Sequence, residues 1–247
     1  MFQTVHERGS FAKWKEMAAE VRGMSVTAKI VLAASFAAPL LQPLGCLPFF
    51  VHLWGVDSGT GKTVALMVAA SVWGDPSVGS YVKTFDGTVV GMEKTAAFLN
   101  NLPLCLDELQ LAKDAKGRTN FDVYRLAQGV GRTRGNRAGG VDKTPTWHNC
   151  ILTTGESPLT GQASGAGAVN RVIDIECKAD RVVIRDGMRV SGAVKRNFGH
   201  AGKAFVEKLY AAGDDVPQEI TERYQELFRA LSAQDTTEKQ AMASAAV

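Results

Sequence analysis

An apolar run, Phe49-Phe50-Val51-His52-Leu53-Trp54, passes directly into Gly55-Val56-Asp57-Ser58-Gly59-Thr60-Gly61-Lys62-Thr63. A second apolar run follows, from Val64 to Val72. Along the chain this reads as a buried strand, a glycine-rich loop and a helix opening on Lys62-Thr63. Glycines let a backbone fold tightly around an anion with its N–H groups turned inward. A lysine placed here reaches the β- and γ-phosphates of a nucleoside triphosphate, and a neighbouring Ser/Thr hydroxyl ligates Mg²⁺. The expected ATP-binding residues are therefore Gly55, Asp57, Ser58, Gly59, Thr60, Gly61, Lys62 and Thr63. The spacing departs from the usual P-loop. Five residues rather than four separate Gly55 from Gly61, and Val56 stands where the first glycine is expected. Either the loop carries one extra residue or Gly59 supplies the flexibility. The competing reading is a glycine-rich turn with a chance lysine. The strand before, the helix after and Gly-Lys-Thr together weigh against it.

A second signal lies about 45 residues on, where Leu102-Pro103-Leu104-Cys105-Leu106 ends in Asp107-Glu108. A strand delivering two carboxylates at its tip is the Walker B arrangement. Asp107 is expected to hold Mg²⁺, through water, together with Thr63. Glu108 is expected to orient and polarise the water that attacks the γ-phosphate. Taken alone, an apolar run capped by acids is common. Its distance from the P-loop gives it meaning.

Composition excludes several alternatives. The chain of 247 residues has a formal net charge of +3, so no global field steers a polyanion toward it. Cys46, Cys105, Cys150 and Cys177 show no C-x-x-C pairing and read as buried free thiols, without a zinc site or a disulfide framework. Ile30 to Val51 contains no charged residue and is long enough to cross a bilayer. However, Pro39, Pro43 and Pro48 interrupt it, and it leads into a loop that must meet water. A buried helix over about 25–38, a turn and the first sheet strand are expected instead. No membrane partner and no signal peptide are expected, and the location is read as cytoplasmic.

The remaining pattern supplies the order of elements. Phe11, Trp14, Ala18 and Val21 fall at helical spacing near the N-terminus. After the P-loop helix, a short strand is predicted over Tyr81–Phe85, then a helix capped by Thr88 and running to Asn100. The Asp107-Glu108 strand comes next, then a short helix over Phe121–Gln128. Residues 130–147 read as a hairpin with a Gly139-Gly140 turn and Arg132, Arg134, Arg137 and Lys143 along it. A buried strand, Cys150–Thr154, ends in hydroxyls. A Gly/Ala/Ser-rich loop leads to Asn170-Arg171 and to an alternating edge strand, Val172–Cys177. Ile220, Tyr224, Leu227, Phe228 and Leu231 form one stripe of a C-terminal helix.

That order is similar to an AAA+ ATPase. The fold class is α/β, a parallel-sheet P-loop NTPase core with N-terminal helices and a C-terminal helical lid. The divisions fall at 1–44 for the N-terminal helices, 45–178 for the core and 179–247 for a lid read as incomplete. The AAA+ likeness implies that Thr154 is the polar "sensor 1" residue beside Walker B. It also implies that Arg171 acts across a subunit interface as an arginine finger. The plainer readings are a strand-end hydroxyl bonding a turn and a solvated edge-strand arginine.

His52-Leu53-Trp54-Gly55, Gly61-Lys62-Thr63, Ala70-Ser71-Val72-Trp73-Gly74-Asp75-Pro76, Leu102-Pro103-Leu104 with Asp107-Glu108, and Thr153-Thr154-Gly155-Glu156 together resemble the domain of unknown function 927 family. The resemblance covers roughly residues 10–240. It implies a helicase-like AAA+ ATPase of phages, plasmids or other mobile elements, related to superfamily III and minichromosome-maintenance helicases. It further implies ATP and Mg²⁺ as cofactors, a hexameric homo-oligomeric ring, single-stranded DNA as partner, and an associated primase or other replication domain. In such helicases the hairpin before sensor 1 enters the central pore. Arg132, Arg134, Arg137 and Lys143 would then contact phosphates. The plainer reading of these residues is a solvated basic loop.

The expected catalytic residues are Lys62, Glu108, Thr154 and Arg171, in an ATP-hydrolysing motor that acts as a DNA helicase or translocase. The alternative is an ATP-binding switch or structural module without unwinding activity. A small-molecule kinase is a third reading, kept open by the basic stretch 178–203.

Overall fold

The computed structural model describes residues 2–112, 123–136, 139–160, 170–213, 215–234 and 236–247. Two capped helices open the chain. Ser10 accepts from the Lys13 N–H at the start of α1 (Phe11–Met24), and Ser25 accepts from the Ala28 N–H at the start of α2 (Val26–Ala37). Helix α1 buries Trp14, Ala18 and Val21, the three-and-four spacing seen in the sequence. Helix α2 takes up the first half of the uncharged stretch, which then turns at Pro39 and enters β1 (Phe49–Trp54). No helix among the described residues is long and apolar enough to cross a membrane.

The core alternates strands and helices: α3 (Lys62–Ser71), β2 (Lys83–Thr84), α4 (Val89–Leu99), β3 (Leu104–Asp107), α5 (Val123–Ala127), β4 (Cys150–Gly155) and β5 (Val172–Glu176). Among the described residues, four further helices follow: α6 (Gly187–Arg196), α7 (His200–Ala211), α8 (Asp215–Ser232) and α9 (Glu238–Ala246). The strands form one five-stranded sheet in the order β2-β3-β4-β1-β5, with every pairing parallel. This is an α/β sheet with the strand order of the AAA+ P-loop fold. Parallel strands need crossovers that cover both sheet faces, so the central strands read as continuous apolar runs. Phe50, Leu104, Cys105, Ile151 and Leu152 are accordingly fully buried. Each such large side chain stabilises the fold by about 1.5–3 kcal/mol.

Register places the site. Phe49 lies opposite Cys150 and Trp54 opposite Gly155, while Leu106 lies opposite Thr153. The tips of β1, β3 and β4 therefore end side by side. At the other end of the sheet the buried Asn149 amide donates to the carbonyls of Asn100 and Leu102, which fixes where β3 and β4 begin.

The predicted strand over Tyr81–Phe85 is shorter than expected, since only Lys83 and Thr84 pair with β3. Its flanks serve packing instead: Tyr81, Val82 and Phe85 are buried, and the Tyr81 hydroxyl donates to the Pro103 carbonyl. The helix predicted to open on Lys62-Thr63 begins at Lys62. The described residues of the stretch 130–147 fold back through antiparallel bridges Val130–Thr146 and Gly135–Val141, with no regular ladder among them.

Candidate functional site

The loop between β1 and α3 turns at Gly59 (φ +73°) and Gly61 (φ +87°), both in the left-handed region where glycine is at home. Gly55 has a different task. It ends β1, its N–H donates to the Gly155 carbonyl, and a Cβ there would lie 2.1 Å from the Cys177 carbonyl oxygen. Its place is thus set by close backbone approach at the strand end, while Val56 stands 84% exposed beside it. The flexibility of the loop itself comes from Gly59 and Gly61. Thr60 is buried, and its carbonyl accepts from the Val183 N–H at 2.8 Å. The Asp57 carboxylate accepts from the Ala179 N–H at 2.8 Å. Both contacts tie the loop to the segment between β5 and α6.

Gly61 caps α3, and Ala65 N–H is the first to bond back to it. The amides of Lys62, Thr63 and Val64 thus have no intrahelical acceptor and point out of the helix N-terminus, which also carries the positive end of the helix dipole. The Lys62 ammonium lies within the loop, donating to the carbonyls of Gly55 (2.8 Å) and Asp57 (2.9 Å) and to the Thr60 hydroxyl. Such a nest of amides with one cation is suited to a polyphosphate.

The β3 tip meets this loop. The Thr63 hydroxyl donates to Asp107 Oδ1 at 3.1 Å, and the Thr154 hydroxyl donates to the same oxygen. Asp107 is buried, whereas Glu108 is exposed and lines the cleft. Glu108 has φ +63°, a conformation rare for a residue with a side chain. Its N–H donates to the Thr154 hydroxyl at 3.1 Å. The Thr63 hydroxyl and the Asp107 carboxylate form a hard oxygen pair of the kind that holds Mg²⁺. The cleft between the loop and the strand tips has a volume of ≈ 520 Å³, and Gln110, Glu156, Ile184 and Met188 complete its wall.

The structure brings together Gly55 through Thr63, Asp107, Glu108 and Thr154. It does not bring Arg171 or the basic hairpin to the same place. Arg171 precedes β5, its carbonyl accepts from the Phe50 N–H, and its guanidinium lies 5.1 Å over the Tyr124 ring. The arginine is 8% exposed, so it is not the solvated edge residue of the plainer reading. Its Nε and Nη1 have no partner among the described residues. The hairpin is rooted at the same end of the sheet: Trp147 is fully buried and donates to the Leu126 carbonyl. Arg132 and Lys143 are exposed, Arg134 is paired with the buried Glu93 of α4, and Arg137 lies outside the described residues.

His52 is a site residue that sequence reasoning missed. It is fully buried on β1, with Nδ1 2.7 Å from the Thr153 hydroxyl and Nε2 3.0 Å from the Ser157 carbonyl. A carbonyl can only accept, so Nε2 carries the proton and Nδ1 accepts from Thr153. Burial pushes its pKa below the ordinary value, against the Ser157 carbonyl and the Asp174 carboxylate, which favour the charged form. The ring fixes the β4 tip from behind; a Cβ at Gly155 would meet it at 3.1 Å. The neighbouring Cys177 thiol is pushed up to about 11 by burial and is no nucleophile at neutral pH.

A family model described as "Domain of unknown function (DUF927)" matches residues 2–147. No curated protein sequence matches the chain. Among solved structures, "SCCmec type IV Cch - active helicase" is similar with a TM-score of 0.76 at 19% identity, covering 98% of this chain and 46% of that one. This chain thus spans about half the length of that helicase, and at such identity the likeness is one of fold. An inhibitor-bound "JCV Helicase" matches with a TM-score of 0.32 at 7% identity, covering 87% of this chain and 70% of that one.

Proposed function

The chain belongs to the family described as domain of unknown function 927, and from that premise we propose that it is an ATP-hydrolysing AAA+ motor acting on single-stranded DNA. The observation that carries this reading is the meeting of two elements at one oxygen. The Thr63 hydroxyl, at the phosphate-loop end of α3, lies 3.1 Å from Asp107 Oδ1, with the Glu108 carboxylate beside it on the cleft wall. A site that only bound a nucleotide would have no use for that exposed second carboxylate.

In this reading the amides of residues 59–63 and the Lys62 ammonium bind the phosphates. Thr63 and Asp107 would hold Mg²⁺, which when bound neutralises charge on the phosphate oxygens. Glu108 orients the attacking water and takes its proton. Catalysis is positioning and electrostatics, with no covalent intermediate on the protein. The helicase-like fold, and the description of a structural neighbour as an active helicase, support DNA as the track. Exposed Arg132 and Lys143 are available for its phosphates. A homo-hexameric ring belongs to the same proposal.

One observation favours a second reading, an ATP-binding switch that does not unwind: Arg134 of the basic hairpin is paired with the buried Glu93 and is not free to hold DNA. Hydrolysis measured with and without single-stranded DNA separates the two. The motor is stimulated on the order of tenfold or more, as expected when the track completes the working state; the switch is not. Lys62→Ala should abolish ATP binding, while Glu108→Gln should keep binding and lose turnover by about 10²–10⁴-fold. Parent-level hydrolysis by Glu108→Gln would remove Glu108 from the mechanism.

A further inference from the structure

We propose that Thr154 is the positioning residue for Glu108, holding its backbone in the left-handed conformation, and that it does not read the γ-phosphate directly. The inference deepens the ATPase reading and rests on it for its kinetic arm.

Threonine Oγ1 has one proton and two lone pairs. The proton goes to Asp107 Oδ1, since a carboxylate accepts. One lone pair takes the Glu108 N–H at 3.1 Å. Nothing remains to donate to an anionic phosphate oxygen, and the free lone pair would repel one. What this hydroxyl does is bridge Asp107 and Glu108, the two residues that flank a single peptide bond. That peptide needs a clamp, because Glu108 at φ +63° is strained and no glycine relieves it. On the far side Leu109 is buried and Leu111 N–H bonds back to the Glu108 carbonyl, closing the next turn. Thr154 is the clamp on the near side. It is itself rigid: 3% exposed, on a strand paired on both sides, with His52 packed behind the tip. The strain is thereby placed at the residue whose carboxylate must face the cleft.

Thr154→Val removes the hydroxyl at nearly constant shape, and Thr154→Ser keeps it. In the crystal structure of Thr154→Val, Glu108 should leave the left-handed region; Glu108 retained at its parental φ would overturn the proposal. In kinetics, Thr154→Val should lose on the order of 100-fold in kcat, as a displaced base does. Its affinities for ADP and for a non-hydrolysable ATP analogue should both stay within about twofold of the parent. Thr154→Ser should recover the rate to within about threefold. A Thr154→Val protein that binds the triphosphate analogue about tenfold more weakly, with ADP affinity unchanged, would mean that Thr154 contacts the γ-phosphate. If the parent hydrolyses no ATP, the functional reading fails, and the Glu108 backbone in the variant crystal still decides the role of Thr154.

Discussion

His52 joins the core to the β4 tip in one side chain, and pH can test that. The imidazole is fully buried and neutral, donating from Nε2 and accepting at Nδ1. Its folded pKa lies below the ordinary value of 6.5 because burial penalises the cation. As pH falls, the unfolded chain therefore binds this proton first. The stability from this residue is complete above about 6.5 and drains away as pH falls toward the folded pKa. His52→Gln keeps a donor for Ser157 and cannot titrate. Melting temperature followed from pH 7.5 down to 5.5 should fall more steeply for the parent than for His52→Gln. Equal slopes would show that His52 titrates as it does in the unfolded chain. A stable imidazole also means a stable β4 tip, so low pH should loosen that tip before it loosens the distant helices.

At the scale of elements, the basic hairpin shows how a charge can change its meaning once folded. Arg132 and Lys143 remain exposed, but Arg134 pairs with Glu93, which α4 buries completely. The pair fixes the hairpin to α4, so only part of the charge read from sequence is available for DNA. Arg134→Ala would leave a buried carboxylate without its counter-ion, and Glu93 Oε1 already has no partner among the described residues. The arginine is partly exposed, so the cost should be about 1–3 kcal/mol rather than the full penalty of a buried pair. Denaturant unfolding measures it. Arg132→Ala should leave stability within about 0.5 kcal/mol, and it should weaken DNA binding with a log–log salt slope shallower by about 0.7. An unchanged salt slope would place the DNA elsewhere.

The same contrast explains what the sequence could show. The glycine-rich loop, the strand ending at Asp107 and the succession of elements along the chain were legible because each is written in consecutive residues. Period, glycine and charge sit where local geometry needs them. Glu93 with Arg134, Asp57 with Ala179 and His52 with Ser157 join residues 41, 122 and 105 positions apart. Nothing local distinguishes their members from solvated charges or a core histidine. The role of Gly55 was hidden for the same reason, since the carbonyl that excludes a side chain there belongs to Cys177.

For the whole molecule, Arg171 decides whether one chain suffices. Val172 pairs opposite Phe50, four residues short of the β1 tip at Trp54. That is about 13 Å of strand at 3.3 Å per residue, farther than an arginine reaches. The phosphate loop lies beyond that tip, so Arg171 does not serve its own cleft. In the proposed motor, any nucleotide it touches would have to be bound to a second copy. A guanidinium buried over Tyr124, with two nitrogens that have no partner among the described residues, is costly to leave unpaired, and an anion delivered by a second copy would relieve that cost. Arg171→Ala should thus lower hydrolysis on the order of 10³-fold, the scale of an arginine finger, while ATP affinity changes by less than about threefold. Mixing it with Lys62→Ala, itself inactive, should restore part of the rate. Each mixed interface can pair an intact phosphate loop from one variant with an intact arginine from the other. Native mass spectrometry would establish that the mixed assemblies exist. If they do and the rate stays at the level of the separate variants, Arg171 supports its own fold through Tyr124, and the proposed contact across copies fails.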